Sequence, residues 1–174
     1  MPSLPATTAR VLTGGRNRQR GSDRRQGDRT GRISRDELAR RQDALSRTPL
    51  FAGLSRRHLR ALARVTAISS YREGATIVRE GAAGGSLFVI LEGRAKVTAK
   101  GRTLARIAEG DFFGEMSLLD GSPRSASVIA ETRMTVLRLS GRDFTRVLKA
   151  DPSIGWILLT ELAGRLRQRE RGLR

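Results

Sequence analysis

Cysteine is absent from the 174-residue chain, which removes disulfides, thiolate metal sites and cysteine nucleophiles together. Histidine occurs once, as His58, so a Ser-His-Asp triad or a histidine-rich metal centre would rest on a single ring. Aromatic residues make up only 4%, which argues against a surface that stacks single-stranded bases. No apolar run approaches the ~18 residues of a membrane span, and the opening MPSLPATTARVLTGGRNRQR has no apolar block long enough for a secretory signal. Acids are scarce as well. Seventeen face 34 lysines and arginines, for a formal net charge of +17. These absences lead to the expectation of a soluble, cytoplasmic chain without a membrane anchor.

What is present divides near residue 34. Before it, TGGRNRQRGSDRRQGDRTGR offers almost nothing to bury and cannot offset its ordering entropy. Residues 1–33 therefore read as a disordered basic arm, and 34–174 as one domain. Ser34-Arg35-Asp36-Glu37 fits a capping box at a helix start. Leu38, Ala39, Gln42 and Leu45 follow at helical spacing until Pro49. Ser55 caps a second helix that carries Leu59, Leu62, Ala63 and Val65, with His58 on its polar side as a solvated residue. From about 67 to 139, seven or eight short segments alternate with glycine-rich turns, a pattern of antiparallel strands in a barrel or jelly-roll sandwich. GRDFTRVLKADP then forms a short helix. Ile154, Ile157, Leu158, Leu162, Ala163 and Leu166 recur at three- and four-residue steps on a last helix, a stripe that reads either as core or, in preference, as one half of a homodimer contact. The fold class is mainly β with flanking helices: an antiparallel β-roll with N-terminal helices and two closing helices.

One stretch carries chemistry. Phe112-Phe113-Gly114-Glu115-Met116-Ser117 reads as a strand end, a glycine and one helical turn; Gly121-Ser122-Pro123 then turns the chain toward Arg124, Ser125 and Ala126. Glycine before a short helix lets a ligand approach exposed amides, and a helix start favours an anion. Arg124 supplies a planar fork of donors for a phosphate. Glu115 is an acceptor suited to a sugar hydroxyl. No general base, metal ligand set or nucleophile–base pair accompanies them, so a binding site for a phosphorylated sugar is expected, not an enzyme, and no metal or cofactor.

FGEMSLLDGSPRSAS resembles the phosphate-binding cassette of cyclic-nucleotide-binding domains, as in the catabolite-activator-like bacterial regulators and protein-kinase regulatory subunits. LSRTPLFAGLSRRHLRALA resembles the entry helices of that family, YREGATIVREGAAGGSLFVILEGRAKV its early strands, and DFTRVLKADPSIGWILLTELAGRLR its closing helices. The resemblance covers about residues 45–170. It implies that Glu115 accepts from the ribose 2′-hydroxyl and that the amides after Gly114, including Met116 and Ser117, face the cyclic phosphate or ribose. It further implies that Arg124 neutralises the phosphate, helped by Ser125, and that small Ala126 lets the next strand pass close to the ligand. The family's adenine-reading Thr-Ser pair falls on Arg169 and Glu170, so cyclic AMP is favoured over cyclic GMP by family frequency alone. Trp156 is a candidate aromatic lid, with a core or interface role as its plainer reading.

The expected function is a stand-alone cyclic-nucleotide sensor for signal transduction or transcription regulation, coupling ligand to movement of its closing helices and lacking the helix-turn-helix of the regulator branch. Its expected partners are the nucleotide, a second copy through the last helix and an unidentified protein, without specific DNA binding and without a membrane. Two alternatives stand beside it: a degenerate domain serving as a protein-interaction module, and a nonspecific nucleic-acid binder using the basic arm.

Overall fold

The computed structural model describes residues 33–172, and their side chains through Gly164 and at Arg167. Residues 1–32 of the expected arm, and the side chains of Leu166, Arg169 and Glu170, lie outside what it describes.

Two helices enter the domain. Helix α1 spans Arg35–Arg47 and α2 spans Arg56–Val65, joined through a one-turn 3-10 helix at Pro49–Phe51. Ser34 caps α1 as expected, its hydroxyl accepting from Glu37 N at 3.0 Å. The reciprocal half of the capping box differs. The Glu37 carboxylate pairs with Arg41 one turn on, and the same buried guanidinium donates to Thr66 O just past α2. Arg41 thereby ties the two helices together and draws the acid away from the cap. Ser55 caps α2 through His58 N at 3.3 Å. Leu59, Leu62 and Ala63 are buried beneath it.

His58 departs from expectation. Its side chain is only 15% exposed, and its Nε2 lies 3.4 Å from Asp151 Oδ2. The polar side of α2 at this point is covered by the segment that follows the fourth helix, which helical periodicity within α2 could not reveal. Asp151 is also bonded by the Ser153 hydroxyl, at 2.5 Å. That bond, with smaller help from the Ser153 amide, His58 and Arg57, holds its carboxyl below the ordinary value.

Eight strands follow: β1 Ala67–Tyr71, β2 Thr76–Val78, β3 Ser86–Glu92, β4 Arg94–Ala99, β5 Arg102–Ala108, β6 Phe112–Phe113, β7 Ser127–Ala130 and β8 Met134–Ser140. They form two antiparallel four-stranded sheets, in the orders β1-β8-β3-β6 and β2-β7-β4-β5. Strand β3 is buried on both faces. Leu87 and Val89 join Leu137 and Leu139 under the helices, whereas Phe88 and Ile90 face Val128, Ala130, Met134 and Val136 between the sheets. Burial on both faces explains why this strand reads as a continuous apolar run where the others alternate.

Helix α3 spans Glu115–Asp120, α4 Gly141–Ala150 and α5 Ser153–Gly172. The structure gives the stripe on α5 the core role rather than the preferred subunit contact. Ile154 and Leu158 are buried, and Ile157 and Leu162 pack partly, in the core shared by α1, α2, α4 and the first sheet. The domain's own helices supply the apolar surface that stripe needed. Another face of α5 is left to solvent, with Trp156 74% and Leu159 61% exposed. Trp156 is thus no core residue. No helix among the described residues is long and apolar enough to cross a membrane.

Candidate functional site

The site is built where β6 ends. Phe113 stands directly opposite Phe88 of β3, and their rings stack with centroids 4.9 Å apart. Gly114 then adopts φ +85°, turning the chain from β6 into α3. A Cβ on Gly114 would lie 2.4 Å from Arg124 Nη1 and 2.7 Å from Ser86 O. Glycine is required here twice over, for a left-handed backbone and for the guanidinium that docks against it.

Beyond α3, Asp120 Oδ1 accepts from the Ser122 hydroxyl at 2.7 Å and from its amide at 2.9 Å. These two bonds hold the Asp120 carboxyl below its ordinary value, the hydroxyl contributing most. The turn leads to Arg124, whose backbone is clamped to the Gly81–Ala82 turn: Gly81 N donates to Arg124 O at 2.8 Å, and Arg124 N to Ala82 O at 2.9 Å.

The Arg124 side chain is only 8% exposed. Its Nη1 donates to Gly114 O at 3.1 Å and its Nη2 to Ser86 O at 2.9 Å. Its central carbon lies 5.8 Å from the Phe88 ring centroid, a cation–π distance. Burial lowers its pKa, the Glu115 charge opposes that shift, and the Arg138 charge adds to it. An arginine stays charged at neutral pH regardless. The two carbonyls hold the fork in one orientation, and its remaining N–H groups are left for an anion.

All seven residues singled out in the sequence line one cavity of about 250 Å³: Gly114, Glu115, Met116, Ser117, Arg124, Ser125 and Ala126. The first amides of α3 are free of intrahelical partners, as at any helix start. Opposite the cassette stands an apolar wall that the motif did not disclose, with Val78, Val97, Ile107 and Val128. A charged end and an apolar wall suit a ligand with an anionic group and a flat, weakly polar body.

Arg138 is the functional candidate that sequence reasoning missed. Its Nε donates to Ser86 Oγ at 3.2 Å, so two guanidiniums converge on Ser86, one at its carbonyl and one at its hydroxyl. Arg138 shares a face of β8 with buried Met134 and Val136 and pairs directly with Phe88, but it is itself exposed, so alternation within β8 carries no signal of the Ser86 contact.

The cavity lining contains no histidine, so Ser117 and Ser125 have no imidazole base beside them. Among the described residues, no group of three His, Cys, Asp or Glu could hold a metal ion.

Comparison with known proteins gives consistent matches. The sequence profile of the cyclic nucleotide-binding domain matches residues 68–151. A cyclic nucleotide-gated potassium channel of Rhizobium etli is 34% identical over 122 residues, 70% of this chain and 34% of the channel. The cyclic AMP receptor protein of Thermus thermophilus is 32% identical over 126 residues, 70% of this chain and 58% of that protein. Among solved structures, the N-terminal domain of a transcriptional regulator from Streptomyces coelicolor superposes with a TM-score of 0.67 at 32% identity, covering 76% of this chain and 96% of that one. The chain spans about a third of the length of the channel it matches.

Proposed function

Since the chain belongs to the cyclic nucleotide-binding domain family, we propose that its cavity under α3 binds a purine 3′,5′-cyclic nucleotide, cyclic AMP ahead of cyclic GMP, and that the domain is a regulatory sensor rather than an enzyme. In this reading Arg124 and the first amides of α3, at Glu115, Met116 and Ser117, take the cyclic phosphate. Ser125 assists, Glu115 accepts from the ribose 2′-hydroxyl, and the apolar wall holds the sugar and base. Ala126 keeps the start of β7 low enough for the ligand to lie against it. The observation that carries this reading is the buried Arg124 fork, fixed by Gly114 O and Ser86 O at the charged end of the cavity.

Coupling to the closing helices is part of the proposal. Leu118 of α3 packs on the core that contains Phe144, Val147, Ile154 and Leu158. At the start of α4, Gly141 N donates to Gly85 O at 2.6 Å, and a Cβ there would lie 3.6 Å from Leu118 Cδ1. Any ligand-driven shift of α3 therefore meets α4 and α5 through Leu118. Only a ligand that prefers one helix arrangement over the other can drive it.

The test is calorimetric titration of the wild type and Arg124→Ala with cyclic AMP and cyclic GMP. Loss of a charge-assisted contact costs on the order of 2–3 kcal/mol, so affinity falls tens- to hundred-fold. Equal affinity in the two proteins contradicts the assignment.

A further inference from the structure

Helix α2 is built against its own electrostatics. Of its ten residues, four are arginines and none is acidic. Arg56 and Arg57 occupy the first turn, where the helix dipole favours negative charge. Arg56, Arg60 and Arg64 stand four residues apart, a spacing at which like charges destabilise a helix. All three are exposed. Arg57 lies 3.6 Å from Asp151, but Arg56, Arg60 and Arg64 enter no ion pair among the described residues. Local rules broken without compensation concentrate at functional or strained sites, and the exposed row shows no backbone strain.

Between α1 and α2 lies an open groove of about 420 Å³ lined by Gln42, Arg56, Arg57 and Arg60. It presents no apolar side chain, so a protein partner finds no pocket for the aromatic or aliphatic anchor on which such interfaces depend. The chain itself has no acidic surplus with which to fill it. Residues 33–172 hold 25 lysines and arginines against 15 acids, a net of +10. Steps of four residues place successive arginines about 6 Å apart along the helix. That is close to the axial advance of two nucleotides on one strand of a duplex, about 6.8 Å.

We propose that the solvent face of α2 is a docking surface for the phosphodiester backbone of a nucleic acid, bound without regard to sequence. The arginine row follows one strand and the groove beside it admits the neighbouring phosphates. The site is separate from the cavity under α3, and its occupation does not depend on what that cavity binds.

The experiment uses the full chain and a fluorescein-labelled 20-base-pair duplex, with anisotropy read at about 50 mM salt and upward. The triple variant Arg56→Gln, Arg60→Gln, Arg64→Gln is expected to bind at least tenfold more weakly. Its plot of log affinity against log salt becomes shallower by about three, near 0.9 per lost phosphate contact. Its melting temperature rises by about 2–4 °C, because the repulsion within α2 is relieved. The charge-preserving triple with lysine keeps its affinity within about threefold of wild type. A control that removes equal charge elsewhere, Arg72→Gln, Arg102→Gln, Arg142→Gln, changes binding little. Three outcomes overturn the proposal: no binding by the wild type, an equal loss in the control, or capture of poly-glutamate as tight as capture of DNA and equally dependent on the α2 arginines.

Discussion

Two glycines of the cassette have the same backbone sign and different surroundings. Gly114, at φ +85°, is pressed against Arg124 and Ser86, while Gly121, at φ +71°, has open space where a Cβ would stand. Gly121→Ala meets only the left-handed backbone penalty, about 1 kcal/mol, and leaves ligand binding intact. Gly114→Ala meets that penalty and a collision with a buried guanidinium, for a total of about 2–4 kcal/mol. It also displaces Arg124 and so weakens cyclic-nucleotide binding. Chemical denaturation and calorimetry on the two variants check the contrast; equal costs would mean that Gly114 does not seat Arg124. At this scale the sequence was most legible where residues are contiguous. Gly114, Glu115, Arg124 and their neighbours line the cavity as a single contiguous motif, and the phosphate and hydroxyl roles proposed for them rest on their residue types. The supports of Arg124 were not legible. Ser86 accepts from its guanidinium across 38 residues of chain and the Phe88 ring lies beneath it, contacts with β3 that no local pattern encodes.

Among elements, the proposed coupling runs from α3 to the two closing helices through Leu118, which packs against the core they share. Hydrogen exchange with and without cyclic AMP is predicted to change over residues 141–164 as well as over α3. Changes confined to α3 would leave binding in place and remove the coupling. The elements themselves were readable from caps and punctuation: Ser34 and Ser55 cap as their spacing suggested, and short segments between glycine-rich turns placed the β-roll. Two misreadings have one cause. His58 lay on a polar helix face and Ile154 and Leu158 on an apolar one, and in both cases a distant element covers the side chain. Periodicity reports which side of a helix differs from the other, not what eventually lies against it.

For the whole molecule, the remaining apolar surface of α5 is the one we propose for self-association. Trp156 and Leu159 are three residues apart on a face that the domain's own core leaves exposed, and this face, not the Ile154–Leu158 stripe, is the surface a homodimer would use. Sedimentation at rising concentration is expected to show a monomer–dimer equilibrium, shifted toward monomer at least tenfold by Trp156→Ser, about 1.4 kcal/mol or more. A wild type that stays monomeric throughout contradicts it. The fold class was legible because glycine turns and short strands leave few architectures open. The arginines of α2 are visible in the sequence, but only the structure shows Arg56, Arg60 and Arg64 exposed and without an ion pair among the described residues, with Arg56 and Arg60 bordering an open groove.

The most direct measurement is a crystal of the full chain grown with cyclic AMP. The expected density has the cyclic phosphate within hydrogen-bonding distance of the Arg124 guanidinium and the α3 amides, and the ribose 2′-hydroxyl on the Glu115 carboxylate. A cavity that stays empty, or a nucleotide held elsewhere with Arg124 still turned wholly onto Gly114 and Ser86, contradicts the proposed role of this site.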